Sequence, residues 1–203
     1  MAQVATQPAQ HAFKEGYLVN DWLPEPEMIG KLKPSYPSEP IEDLRARYEK
    51  DGYLFVKGIL PRSDVLDCRK AYFKFLSPSG VLQPSSDPVD GIFDPDNKGF
   101  DYPSIGAGPC GEEQKTGSFA SLAEKAHTES FYLEFSRHPV LRDFVSKLKG
   151  WGDDTKLLPR SLLRNNTPHN NAIGVHYDQS FLRYGEATSV TAWVPIGDIS
   201  LQG

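Results

Sequence analysis

Residues 174–181 read G-V-H-Y-D-Q-S-F, and the pair that could do chemistry is His176 and Asp178. In an extended strand, residues i and i+2 project to the same side, so the imidazole and the carboxylate would share a face with Tyr177 opposite. At that spacing both groups can reach one small cation. Nitrogen and oxygen donors without thiolate suit Fe(II), and would also accept Zn or Mn. Two histidines and one carboxylate on one face of an octahedron, with the other positions open, is the arrangement of non-haem Fe(II) oxygenases. H-x-D alone is a weak signal, since a hydrogen-bonded surface pair reads the same way. Its neighbourhood has to carry the case.

The segments that would position the pair read as strands. Lys156–Arg164, Gly174–Phe181 and Ser189–Ile196 are β-rich, and the last, S-V-T-A-W-V-P-I, alternates inward and outward. Asn165-Asn166-Thr167-Pro168 and Tyr184-Gly185-Glu186 are turn-forming stretches between them. Upstream, the period is helical. Residues 42–50 carry Leu44 and Tyr48 at i,i+4 with acids leading and bases following, and Asp51-Gly52 ends the helix. Tyr53–Val56 reads as a short strand. A second helix spans 62–76, with Val65, Cys68, Tyr72 and Phe75 on one face. Helical signals return at 119–136 and at 139–149, where Pro139 suits the first turn and Gly150 the C′ position. Helices first and strands later predict an α+β fold.

Between these blocks, residues 77–118 hold seven glycines and six prolines and show no periodicity. A stretch of that length is commonly a functional loop or lid. Residues 1–40 form a proline-rich arm, which Trp22, Leu23 and Tyr36 could pin to the domain comprising 41–203.

R-S-L-L-R-N-N, H-Y-D-Q-S-F and V-T-A-W-V-P-I-G-D-I together resemble the core of the phytanoyl-CoA dioxygenase (PhyH) family, and Y-E-K-D-G-Y-L-F-V-K-G-I-L-P-R-S-D-V resembles its opening helix and strand. The similarity covers about 44–76 and 157–199. It implies N-terminal helices packed on a double-stranded β-helix, a jelly-roll or cupin-like core. It implies Fe(II) held by His176 and Asp178, with 2-oxoglutarate as co-substrate and O2 as oxidant. Thr191 and Trp193 alternate on one strand face, where they either touch co-substrate and substrate or simply fill the barrel core. Arg164 ends the preceding strand, where it either reaches a carboxylate or faces solvent. Gln179 and Tyr177 flank the ligand pair and could hydrogen-bond to it. His169, His127, His138 and His11 are read as non-ligands.

The family pattern also needs a distal histidine and an arginine that clamps 2-oxoglutarate. No histidine follows His176 in this sequence. The expectation is therefore a fragment of a longer enzyme, lacking the C-terminal half of the β-helix and turning over negligibly by itself. The alternative reading is a non-catalytic ligand-binding or interaction domain of the same ancestry. A metal-dependent hydrolase or isomerase of cupin type stands behind both.

Composition narrows the partners. A net charge of −5 argues against nucleic acid and anionic membrane surfaces, which select basic faces. No apolar run is long enough for a bilayer span, and residues 1–15 lack the charged and apolar regions of a secretory signal. Cys68 and Cys110 fit no C-x-x-C pattern, so free thiols in a reducing compartment are expected, cytoplasmic in the first instance, with a peroxisomal address left open. The partner implied is a small-molecule substrate. Its identity and the oligomeric state are not legible.

Overall fold

A computed structural model of the 203-residue chain describes residues 30–98, 102, 118–158, 161–167, 178 and 189–199. Among the described residues five α-helices form the body: α1 (Ile41–Asp51), α2 (Arg62–Leu76), α3 (Ser118–Lys125), α4 (Ser130–Ser136) and α5 (Pro139–Lys149). Two short strands, β1 (Pro34–Ser35) and β2 (Phe55–Val56), pair in parallel, with Pro34 opposite Phe55.

The helices begin and end for reasons visible in the chain. In α1, Glu42 and Asp43 occupy the first turn and Lys50 the last, each matched to the helix dipole. In α5, the His138 side chain caps the first turn by accepting from the Val140 N–H, and Pro139 sits where a missing N–H costs nothing. Gly150 closes α5 at φ 69°, a left-handed position that glycine adopts without a Cβ penalty. Arg45 of α1 reaches the same end, donating Nε to Leu148 O at 3.0 Å and Nη2 to Lys147 O at 2.5 Å. It thereby satisfies two of the orphan carbonyls of α5 and ties α1 to α5.

The single helix expected over 119–136 is two. Ala126–Thr128 tightens into a 3-10 turn, Glu129 is extended at ψ 146°, and α4 starts afresh at Ser130. The Thr128 hydroxyl donates back to Lys125 O at 2.8 Å, the local competition that makes threonine a poor helix interior residue. The break lets two apolar faces point at one core. Phe119, Ala123 and Ala126 come from the first piece and Tyr132 from the second, and they meet Tyr72 and Leu76 of α2, Val81 and Leu163.

The described part of the long loop lies on α2. A bridge joins Leu82 to Phe93, and Pro88–Asp90 makes a 3-10 turn. Arg69 of α2 holds that turn, giving Nε to Val89 O at 2.5 Å and Nη2 to Asp90 O at 2.8 Å while its guanidinium lies 4.9 Å over the Phe73 ring.

The double-stranded β-helix expected after Gly150 is not evident among the described residues, which are mostly helical. Of the described residues, 49% are helical and 5% lie in strands or bridges, and the two strands are the short parallel pair near the start of the body. Residues 156–158, 161–164 and 189–196, expected as jelly-roll strands, contain no strand. Period-2 alternation makes a segment able to join a sheet, but a ladder also needs a neighbour for its N–H and C=O groups. Here the Leu163 N–H donates to the His127 side chain, and the side chains of Ser161 and Asn165 accept from Tyr132 and Tyr72. Of the expected strand 174–181, only Asp178 is among the described residues, and it lies in a turn.

Candidate functional site

Upstream of the H-x-D pair, the chain is fixed to the helical body at alternate residues, Ser161, Leu163 and Asn165. Leu163 is buried at 7% exposure in the core cluster. Its backbone N–H donates to His127 Nε2 at 2.9 Å. The other ring nitrogen, Nδ1, lies 3.1 Å from Ala123 O and 3.2 Å from Glu124 O. One neutral tautomer satisfies all of this: the proton sits on Nδ1 and is shared by the two carbonyls, leaving Nε2 to accept. His127 is thus a structural connector between the end of α3 and Leu163, stacked edge-on to Tyr132 with centroids 5.5 Å apart.

Two tyrosines flank that contact. Tyr132 donates its hydroxyl to Ser161 Oγ at 2.7 Å. Tyr72, buried at the centre of α2, donates to Asn165 Oδ1 at 2.5 Å, and burial drives the phenol pKa well above its ordinary value despite that bond. Asn165 is itself buried, and its Nδ2 has no hydrogen-bond partner among the described residues. Thr167 then donates to Tyr102 O at 2.5 Å, and the Tyr102 hydroxyl returns to Ser79 O at 3.2 Å.

A second stretch, 189–199, rests on the outer side of α2. Ile196 packs against the core cluster. Arg62 grips Asp198 with both terminal nitrogens, at 2.9 and 2.7 Å, and that hydrogen-bonded pair holds the carboxyl below the usual aspartate range. Gly197 allows the close approach: a Cβ there would stand 2.5 Å from Arg69 Nη1. Arg62, Leu66, Arg69, Val89, Asp90, Gly197 and Asp198 line a cleft of about 330 Å³ along this seam.

The sequence-derived candidates are distributed as follows. Asp178 and Thr191 are brought together: the Thr191 hydroxyl donates to Asp178 Oδ2 across thirteen residues of chain. Trp193 stands 74% exposed, away from the core. Arg164 is half-buried between Leu163 and Asn165. His176, Tyr177, Gln179, His169, His11 and Cys110 lie outside the described residues. His138 caps α5 and places Nε2 3.0 Å from Asp64 Oδ2, a link between α5 and α2. That bond, with a second from Ser63, lowers the Asp64 pKa. Cys68 is a free buried thiol whose pKa burial pushes up to about 11, which leaves it protonated and unreactive at neutral pH.

Among the described residues no three histidine, cysteine, aspartate or glutamate side chains cluster as a metal site. The donor types in H-x-D, one imidazole and one carboxylate, nevertheless suit Fe(II). The carboxylate already carries the kind of hydroxyl partner that orients metal ligands.

The anchors themselves were not found from sequence. Tyr72 read as one residue of an apolar helix face and Asn165 as a turn residue, and Tyr132 was not singled out. Nothing in a linear pattern pairs Tyr72 with a residue ninety-three positions away. No described helix is long and apolar enough to cross a membrane. No family model, curated protein or solved structure matches the chain.

Proposed function

We propose that this chain carries part of the metal site of an Fe(II)- and 2-oxoglutarate-dependent dioxygenase of the PhyH type. His176 and Asp178 serve as iron ligands, and the reaction hydroxylates an unactivated C–H bond of a small organic or acyl substrate. The observation that supports this most is the Thr191–Asp178 hydrogen bond. It draws together Asp178 of the H-x-D stretch and Thr191 of the V-T-A-W stretch, two of the pieces of sequence on which the resemblance rests. When bound, the metal supplies O2 activation: one oxygen atom goes to the substrate as hydroxyl and one to succinate, formed with CO2 from 2-oxoglutarate.

The chain's own share is positional. The carboxylate of Asp178 is aimed by a neighbouring hydroxyl. Upstream of the pair in the chain, Ser161, Leu163 and Asn165 are held on the helical body. A cytoplasmic setting accompanies this reading and rests on the free, unactivated thiol of Cys68.

Anaerobic equilibrium dialysis against Fe(II) tests the proposal. Wild-type chain is expected to retain Fe(II), and His176→Ala and Asp178→Ala to lose it. The protein isolated from its source is expected to form succinate from 2-oxoglutarate in an Fe(II)- and O2-dependent manner. Equal metal uptake by wild type and both variants would sink the reading and favour a non-catalytic ligand-binding domain.

A further inference from the structure

We infer that Thr191 is a positioning residue for the Asp178 carboxylate, and does not itself contact co-substrate. This rests on the proposed metal role of Asp178. Thr191 directs its hydroxyl proton at Asp178 Oδ2, although thirteen residues separate the two in the chain. A carboxylate that accepts a directed hydroxyl hydrogen bond is oriented by it, and the oxygen so held points in one direction. A threonine hydroxyl has a single proton to give. Spent on Asp178, it is not available to donate to a co-substrate carboxylate. Thr191 has a second tie to the body through its own segment, because Ile196 packs on the core and Asp198 is clamped by Arg62. The hydroxyl therefore approaches Asp178 from a stretch with its own anchors on the helical body. That is what a positioning group requires.

Partners of metal ligands usually matter about 10- to 100-fold in metal affinity. Thr191 is exposed, and water can replace part of what its hydroxyl supplies, so the low end of that range is expected. Co(II) is the probe, titrated into the full chain under anaerobic conditions and followed by its visible absorption, with Fe(II) competition as a second readout. Thr191→Val keeps the shape and removes the hydroxyl, and it is expected to weaken Co(II) binding about tenfold with the thermal midpoint unchanged. Thr191→Ser restores the hydroxyl and is expected to return affinity close to wild type. Asp178→Ala is expected to lose most binding.

If Thr191→Val binds like wild type while Asp178→Ala does not, the positioning role fails and the metal reading stands. The role also fails if Thr191→Ser is as weak as Thr191→Val, because then the β-branched shape and not the hydroxyl matters. If wild type and Asp178→Ala bind Co(II) equally, the metal reading fails and takes the positioning role with it.

Discussion

The helical body and the residues after Gly150 are held by different physics. Between α2, α3 and α4, apolar side chains meet apolar side chains: Tyr72, Leu76, Phe119, Ala123 and Ala126 form a contiguous interior, and the rings of Tyr72, Phe75 and Phe131 tilt against one another at centroid distances of 6.0 to 6.3 Å. Residues 161–167 and 189–199 bring two apolar anchors to that interior, Leu163 and Ile196. The rest of their attachment is polar and specific: Tyr72 to Asn165, Tyr132 to Ser161, His127 to the Leu163 N–H, and Arg62 to Asp198. Non-directional burial tolerates small errors of placement, whereas hydrogen bonds between defined atoms do not. The body therefore supplies stability, and the later segments borrow position from it. That division suits a chain whose candidate ligands lie in the later half.

Core truncation should expose the contrast most strongly. Leu76 is 1% exposed at the end of α2, and Leu76→Ala is expected to cost about 2–5 kcal/mol. Denaturant unfolding followed by circular dichroism would read it. Trp193→Ala removes a larger side chain that is 74% exposed and should stay within about 0.5 kcal/mol. Comparable losses from the two would mean that the later segment is packed as a core, and the contrast would collapse.

Gly91→Ala comes next. Gly91 sits at φ 61°, and a Cβ there would lie 2.4 Å from Phe73 Cε2, on a ring that Arg69 covers. Backbone strain and the clash together should cost about 1–3 kcal/mol, with the Pro88–Asp90 turn lifting from α2 as the structural consequence. Protease sensitivity at 88–91 in the folded state would report the lifting, and an unchanged pattern would show that the turn is not held by this contact.

Tyr72→Phe probes the polar clasp with almost no change in volume. It leaves Asn165, buried and already holding one amide nitrogen without a partner among the described residues, without its carbonyl partner as well. A cost of about 1–3 kcal/mol is expected. The effect should be felt at 161–167 before the helices, as faster amide exchange at Leu163 with α1 and α5 unaffected. A uniform loss across the molecule would instead say that Tyr72 acts through the core alone.

How much of this was legible follows the same line. The helices were readable because their determinants are local: Glu42 and Asp43 at one end, Gly52 and Gly150 at others, and an apolar face repeating every three or four residues. The split at Glu129 was missed because the apolar pattern runs through it, and only the backbone preferences of Thr128 and Ser130 hint at it. The strands expected over 156–164 and 189–196 were misread where the chain is described, because alternation records capacity for pairing and not the presence of a neighbour. Asp178 was legible as a candidate by residue type. Its meeting with Thr191 depends on how two distant segments fold back, which no local rule supplies. Arg62 and Asp198, 136 residues apart, show the same limit.

The smallest effect expected is also the one that separates the two regions by pH. Asp198 and Asp64 both titrate below the ordinary aspartate value, the first because Arg62 hydrogen-bonds to it and the second because His138 and Ser63 do. A carboxyl with a depressed folded-state pKa contributes stability that is present above its unfolded value of about 3.9, and that is lost as pH falls through the lower folded value. The two losses fall in the same acid window but act in different places. Protonating Asp64 loosens the link between α2 and α5, whereas protonating Asp198 releases 196–198 from α2. Both groups are well exposed, so water and salt mute each contribution. Arg62→Gln should abolish the acid-dependent change in amide exchange at Ile196–Asp198 while leaving that at the α2–α5 contact intact. Were both sites to respond to Arg62→Gln alike, the later segment would be coupled to the body as one cooperative unit, and the distinction between a stabilising half and a positioned half would not hold.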